Sequence, residues 1–233
     1  MFAKSQEFYD VVYSFKDYAK EAEDILTMIR RNSDCGETVL DIACGTGKHL
    51  EHLKTSFKCF GLDVDPGLVE IAQKRNPECE IFLDDMVTFD VKRRFGVALC
   101  LFSSIGYAET PARLEATISR VAAHIEPGGL FIVEPWLHPD KYSTGRLDAD
   151  FIEEANLKIT RMNTTEREAN VSVILFHYLV GQGTEISYFI EEHKLGLFTD
   201  AEYRSALANG GFRIAEHTTE FSDRGHYICV KSE

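Results

Sequence analysis

The sequence is short of positive charge. It carries 25 Lys and Arg against 38 Asp and Glu, a formal net charge of −13. Polyanions such as tRNA or DNA are held by clustered Lys and Arg. No basic stripe is present, so nucleic acid is excluded as the expected partner. A small local basic pocket for a phosphorylated metabolite stays compatible with this charge. Long apolar runs are also missing: none approaches the roughly 20 residues of a membrane span. Met1-Phe2-Ala3-Lys4-Ser5 lacks an apolar signal core. The expectation is a cytoplasmic protein with no membrane partner. None of the six cysteines (Cys35, Cys44, Cys59, Cys79, Cys100 and Cys229) forms a C-x-x-C pair. That argues against structural zinc, and no other metal cluster is expected. Several lie in apolar runs and read as buried free thiols. A Cys/His nucleophile pair, internal repeats and low-complexity tracts are absent too.

What is present is an alternation of elements. The 233 residues suit one domain, 1–233, large enough to bury a core without disulfides. Residues 17–29 carry Tyr18, Ala22, Ile25, Leu26 and Ile29 at helical period. Apolar strand-like runs follow at 38–43, 58–62, 80–83, 97–102 and 130–133. Between the last two, Leu114, Ile118, Val121, Ala122 and Ile125 line a helix face. Gly128-Gly129 reads as the break before the fifth strand. Strands apolar on both faces predict an α/β fold, a Rossmann-like doubly wound and mostly parallel sheet covered by helices on both sides. Right-handed crossovers line up the strand C-termini along one edge, where such sheets bind ligands. From about 157 to 197 the pattern changes to longer strands, with turns expected at 164–170 and 181–183. This predicts a small inserted antiparallel sheet. A helix over 200–208 and strands over 212–217 and 226–231 complete the chain, the last two joined by Ser222-Asp223-Arg224-Gly225.

The strongest local signal is Val39-Leu40-Asp41-Ile42-Ala43-Cys44-Gly45-Thr46-Gly47. A strand ends at two glycines, which let backbone approach a ligand and adopt positive φ. Asp63, just past the second strand, is placed to accept both hydroxyls of a ribose. Asp84-Asp85-Met86 after the third strand offers an acid and a flat apolar wall to an adenine. A dinucleotide fits less well. The third glycine of G-x-G-x-x-G is Leu50 here, and Asp41 beside the loop would repel a pyrophosphate. S-adenosylmethionine has no phosphate and carries an ammonium group that tolerates Asp41.

This series resembles the class I S-adenosylmethionine-dependent methyltransferases. The first loop position, often glycine in that family, is Ala43 here. The resemblance implies S-adenosylmethionine as cofactor. It implies contacts from Tyr18, Asp41, Ala43, Gly45, Gly47, His49 and Leu50 around the loop. Asp63 and Val64 would follow after the second strand, Asp85 and Met86 after the third, Leu101 and Phe102 after the fourth. Further motifs recur in order: Phe8-Tyr9-Asp10, Lys16-Asp17-Tyr18, Phe102-Ser103-Ser104-Ile105-Gly106-Tyr107, Glu134-Pro135-Trp136 and Arg224-Gly225. In this the chain is similar to the N,N-dimethyltransferases of nucleotide-linked (dTDP) amino sugars that finish desosamine and mycaminose. Segments near the substrate depart from that pattern: Ser14-Phe15 precedes Lys16, and Leu137-His138 and Asp223 replace its usual residues.

The resemblance implies N-methylation of a small-molecule amine by a homodimeric enzyme. Tyr107 and Tyr9 are the expected catalytic residues, the first orienting the amine and the second covering the site. Ser104, Trp136, His138, Tyr178 and Arg224 join them as substrate contacts. Trp136 would stack on a base or sugar or simply pack. Arg224 would clamp a phosphate or stay solvated, and His138 and His226 are weaker candidates. A neutral amine needs no metal, and positioning alone can supply about 7–11 kcal/mol of the barrier. Two other readings remain: O- or carboxyl-methyl transfer with a base near Tyr107 or His138, and a non-catalytic adenosyl-ligand binding module.

Overall fold

The computed structural model describes residues 4–32 and 36–232. Cys35 and the first three residues, both read above, lie outside the described residues. The remaining five cysteines are buried and free.

Seven strands form the main sheet. β1 (Thr38–Ile42), β2 (Lys58–Asp63), β3 (Glu80–Leu83), β4 (Phe95–Cys100) and β5 (Ile125–Val133) are joined by β10 (Phe212–Thr218) and β11 (His226–Lys231). The order is β10-β11-β5-β4-β1-β2-β3. β1 runs parallel to β2 and β4, and β4 parallel to β5, while β11 is antiparallel to both β5 and β10. The strand order reverses between β1 and β4, so the C-terminal ends of these two strands open a crevice. Successive residues of β1, β4 and β5 serve opposite faces. Leu40, Ile42, Ala98, Cys100, Phe131 and Val133 meet α5 (Pro111–Ala123) and α6 (Asp200–Asn209). Val39, Val97, Leu99, Leu130 and Ile132 meet α2 (Tyr18–Asn32) and α3 (Lys48–Leu53). Each such fully buried aliphatic contributes roughly 1.5–3 kcal/mol.

Two expectations are corrected here. Gly128-Gly129 does not precede the fifth strand but lies inside β5, where the pairing register with β4 shifts between Phe95 and Val97. A Cβ at Gly129 would lie 2.7 Å from the Gly96 carbonyl oxygen, so close strand approach requires glycine. A helix not anticipated, α4 (Pro66–Arg75), follows β2. Asp65 caps it by accepting from the amides of Gly67 and Leu68, with Pro66 at the first turn.

The second sheet has the order β6-β7-β8-β9, all antiparallel. It comprises β6 (Leu147–Glu154), β7 (Leu157–Glu168), β8 (Val171–Gln182) and β9 (Glu185–Gly196). It begins ten residues before the expected start at 157, because β6 is an exposed, acid-rich edge strand with no apolar run to mark it. The anticipated turn over 164–170 is mostly strand. β7 and β8 pair to Glu168↔Val171, leaving only Ala169-Asn170 at the tip, with Ala169 at φ +52°. Likewise β8 runs through Gly181 to Gln182. The inward face carries Arg161 and Asn163 of β7, Ile174, Phe176 and Tyr178 of β8, and Glu191, His193 and Leu195 of β9, the alternate positions of each strand. The short helix α1 (Tyr9–Val12) closes the end of this face, where Phe8 and Val12 pack on Ile159, Tyr178, Val180 and Phe189.

Candidate active site

The site starts where β1 stops. Ala43, Gly45 and Gly47 take φ of +58°, +57° and +72°, a left-handed run that suits glycine and strains Ala43. The Gly45 amide donates to Asp63 Oδ2 at 2.8 Å, and the Asp65 amide to Asp63 Oδ1 at 3.0 Å. The loop after β1 and the acid ending β2 are thus one rigid unit. Burial raises the Asp63 carboxyl pKa, and the backbone amides offset only part of that rise.

Asp41 lies one layer deeper, 1% exposed. Burial lifts its carboxyl to about 7, with Asp63 adding to the rise and His49 opposing it. Its Oδ2 has no hydrogen-bond partner. A buried, orphaned carboxylate oxygen beside a polar recess is an attractive neighbour for a cation. That recess, about 30 Å³, is lined by Tyr18, Asp41, Ala43, Gly45, Thr46, His49 and Leu101 among others. His49 is fixed by Glu21 Oε2 at 2.8 Å, and Glu21 by Lys16 at 2.6 Å. Burial works against the Glu21 charge, yet the bonds from His49 and Lys16 hold its pKa below the usual carboxylate value.

The recess opens into a cavity of about 570 Å³. One end carries Asp63, Val64, Leu68, Asp84, Asp85 and Met86. Asp85 is turned by the Val87 amide at 2.9 Å, and Arg113 stands 3.6 Å away. The other end carries Tyr107, Trp136, Arg161, Phe176, His193, Leu195 and Arg224, so the second sheet supplies this wall. Tyr9, Tyr13, Phe102 and Ser104 line the stretch between. Phe102 and Ser103 are again left-handed, at φ +50° and +60°. Glu134, just past β5, locks that turn: its Oε2 accepts from the Phe102 amide at 2.7 Å and its Oε1 from Arg224 Nε at 3.0 Å. Arg224 also lies 5.8 Å from the Phe102 ring centre and 5.6 Å from that of Trp136.

Most residues expected at the site meet here. Five do not line the cavity or its recess. Leu50 is fully buried beneath β2, where its Cδ1 meets the space a Cβ on Gly61 would take. Gly47 serves α3, because a Cβ there would strike Asn76 at 2.6 Å. Tyr178 shares the inward face with Phe176 but sits one step further along β8, stacked on Phe189 under α1. His138 faces a separate outer hollow and accepts from the Asp140 amide at 3.2 Å. His226 borders a third hollow with Lys16, Glu21 and Glu134, and burial lowers its pKa. Conversely, Tyr13, Arg161, Phe176, Glu191 and His193 are not among the expected site residues, and Glu134 enters the sequence reading only as part of a motif. For Arg161, Glu191 and His193 the signal is charge or imidazole on the buried parity of a strand, as in Phe189-Ile-Glu191-Glu-His193-Lys-Leu195.

Arg161 is 8% exposed. It is held by Asp150 through Nε at 3.1 Å and Nη2 at 2.6 Å, while its Nη1 has no partner. The rings of Tyr13 and Phe176 flank it at 5.4 and 5.0 Å. A buried guanidinium edge turned to a cavity suits an anionic oxygen.

Comparison with known proteins agrees with this geometry. Residues 39–129 match a family described as a methyltransferase domain. A Streptomyces fradiae dTDP-3-amino-3,6-dideoxy-alpha-D-glucopyranose N,N-dimethyltransferase is 38% identical over 212 residues, covering 89% of this chain and 83% of that one. The crystal structure of Streptomyces venezuelae DesVI superposes with a TM-score of 0.89 at 34% identity, over 96% of this chain and 97% of that one. A Micromonospora echinaspora amino pentose methyltransferase, CalS10, solved with S-adenosylmethionine bound, gives 0.86 at 30% identity, over 97% of each chain.

Proposed function

The chain belongs to the S-adenosylmethionine-dependent sugar N-methyltransferases, and from that premise we propose that it methylates the amine of a dTDP-linked amino sugar. One observation carries the reading. A single cavity joins the Gly45–Asp63 unit to two guanidinium groups, Arg161 and Arg224. The first end suits an adenosyl group, with Asp63 taking ribose hydroxyls and Asp85 and Met86 beside the base. The orphaned oxygen of Asp41 suits the ammonium of the cofactor's methionine part. The second end suits a diphosphate, which needs donors in a fixed planar fork. Trp136, Phe176 and Leu195 give apolar cover for a sugar and a base.

When bound, S-adenosylmethionine supplies an electrophilic methyl on sulfonium. The chain's own residues then hold and align the acceptor. Arg161 and Arg224 anchor the linker, Tyr107 faces the amine, and Tyr9, Tyr13 and Phe102 exclude water from the middle of the cavity. Alignment of this kind is the main source of rate for a displacement needing no covalent enzyme intermediate. Placement of His138 in a separate hollow removes one of the two positions at which an O- or carboxyl-acceptor would find a base.

The reading includes a homodimer. The outward face of β6–β9 presents Leu147, Phe151, Met162, Leu179, Ile186, Tyr188 and Ile190, all exposed, more apolar surface than a monomer normally leaves open.

Mass spectrometry of reactions with S-adenosylmethionine and dTDP-3-amino sugars tests the function. Products heavier by one and then two methyl groups are expected. Binding of S-adenosylhomocysteine with no methylated sugar would overturn the acceptor class. Substituting Arg161→Leu is expected to raise KM for the nucleotide sugar tenfold to a hundredfold, on the order of 1.5–3 kcal/mol for a charged hydrogen bond, with adenosylhomocysteine affinity unchanged.

A further inference from the structure

A protonated amine has no lone pair and cannot attack a methyl group. Alkyl amines of the lysine and N-terminal kind have pKa values of roughly 8 to 10, so an amino sugar meets the enzyme largely as an ammonium. The proton must pass to a group within reach of the amine before the lone pair is free. Tyr107 is the cavity-lining hydroxyl that the N-methylation reading sets beside the amine. Burial pushes its phenol well above the ordinary value, so it does not hold the proton's place as a phenolate.

Behind Tyr107 stands a second group. Tyr107 Oη lies 2.7 Å from His193 Nδ1. With Nδ1 accepting, the neutral imidazole carries its proton on Nε2, the nitrogen 3.9 Å from Glu191 Oε2. Glu191 is fixed in turn by the Ser5 hydroxyl at 2.7 Å and the amides of Ser5 and Lys4, each at 3.0 Å. Burial opposes its charge, but these bonds and His193 hold its pKa below the usual value. His193 and Glu191 are 3% and 5% exposed. Two polar side chains on the buried parity of β9, where Phe189 and Leu195 show that apolar residues fit, carry a desolvation penalty with no evident packing gain. Hydroxyl, imidazole and carboxylate in series are the arrangement by which a base is oriented and its charged form stabilised.

The geometry points to His193, acting through Tyr107 and backed by Glu191, as the acceptor of the proton the substrate ammonium loses before methyl transfer. It rests on the N-methylation reading above. One N–H bond of the ammonium breaks as its proton passes to Tyr107 Oη. The phenolic proton passes to His193 Nδ1, leaving a neutral amine, a neutral phenol and an imidazolium beside Glu191. The nitrogen lone pair then forms the N–C bond, sulfur keeps the electrons of the S–C bond, and the positive charge moves to nitrogen. The imidazolium returns its proton to solvent when product leaves. Phe176 of β8 meets His193 edge-on at 5.1 Å, with Arg161 of β7 over the far side of that ring. Beyond Tyr107 and Glu191 stand the phenols of Tyr13 and Tyr178 and the Asp63 carboxyl.

His193→Gln separates the two roles His193 can play. A glutamine amide still accepts the Tyr107 hydrogen bond but takes up no proton. With wild type active on a dTDP-amino sugar, kcat/KM of H193Q is expected to fall at least tenfold at pH 7. The deficit should close as pH rises to the ammonium's own pKa. Y107F should give the same pH profile, and added imidazole should restore an H193A variant at pH 7. A general base contributes about 10²–10⁴-fold. Adenosylhomocysteine affinity, measured by calorimetry, should be unchanged in each variant. If H193Q loses that affinity, Y107F and the imidazole rescue decide. A pH profile parallel to wild type in H193Q or Y107F would overturn the relay while leaving the N-methyl reading intact. A wild type inactive on every amino-sugar nucleotide would overturn both.

Discussion

At residue scale the site is a set of local penalties accepted for the sake of a ligand. Asp41 is the clearest. Its folded pKa, about 7, lies above the unfolded value near 4. The carboxyl is therefore neutral in both states at low pH. Between roughly pH 4 and 7 the unfolded chain ionises first, and stability falls with rising pH until the folded group ionises too. Asp41→Asn is expected to stabilise the ligand-free protein at pH 8, on the order of 2–4 kcal/mol, with the gain shrinking toward pH 5. Thermal melts at the two pH values check this. The same variant should lose cofactor affinity, since the oxygen that lacks a partner is the one a cofactor ammonium would neutralise. Ala43 is a second case. At φ +58° its methyl group costs about 1 kcal/mol relative to glycine. Ala43→Gly should raise the urea midpoint without reducing activity.

At the scale of elements, Arg75 of α4 ties together parts far apart in sequence. It binds Asp10 of α1 and the Thr46 carbonyl oxygen, and the Thr46 hydroxyl donates to Asp10 at 2.7 Å. This seats the segment carrying Tyr9 and Tyr13 against the glycine loop. Arg75→Ala should weaken adenosylhomocysteine binding about tenfold, as loss of a charged hydrogen bond implies, with little change in thermal stability; calorimetry and a melt distinguish the two. How well each element could be read follows from its surroundings. The central strands β1, β2, β4 and the second half of β5 announce themselves because nearly every residue in them is buried, so their apolar character shows on both faces. α4 hides because only Leu68 and Ala72 are buried, too few to show a period. β6 hides because it is an exposed edge strand rich in acid, Leu-Asp-Ala-Asp-Phe-Ile-Glu-Glu. The glycine loop, Asp63 and Asp85 were legible because strand ends place them. Arg161, Glu191 and His193 were not, because which face of a hairpin sheet turns inward is decided by docking against another part of the chain.

At the scale of the whole molecule, the two sheets share the cavity and α1 between them, and the outer face of β6–β9 is left apolar. Ile186 and Tyr188 are 76% and 60% exposed on a net charge of −13, which keeps a lone chain soluble but does not cover this patch. Light scattering is expected to give the mass of a dimer for the wild type. An Ile186→Lys, Tyr188→Lys double variant should give that of a monomer. Retained dimer in the variant would place the contact elsewhere.

The two ends of the cavity are made of different material. One is main chain at the tips of parallel strands, gripped by buried acids; the other is a row of side chains on alternate positions of a hairpin ribbon. If the proposed division of the cavity holds, substitutions on that ribbon should retune acceptor choice one position at a time while the donor cradle stays untouched. Lineages sharing this architecture are thereby free to drift toward new amines without relearning how to hold the methyl source.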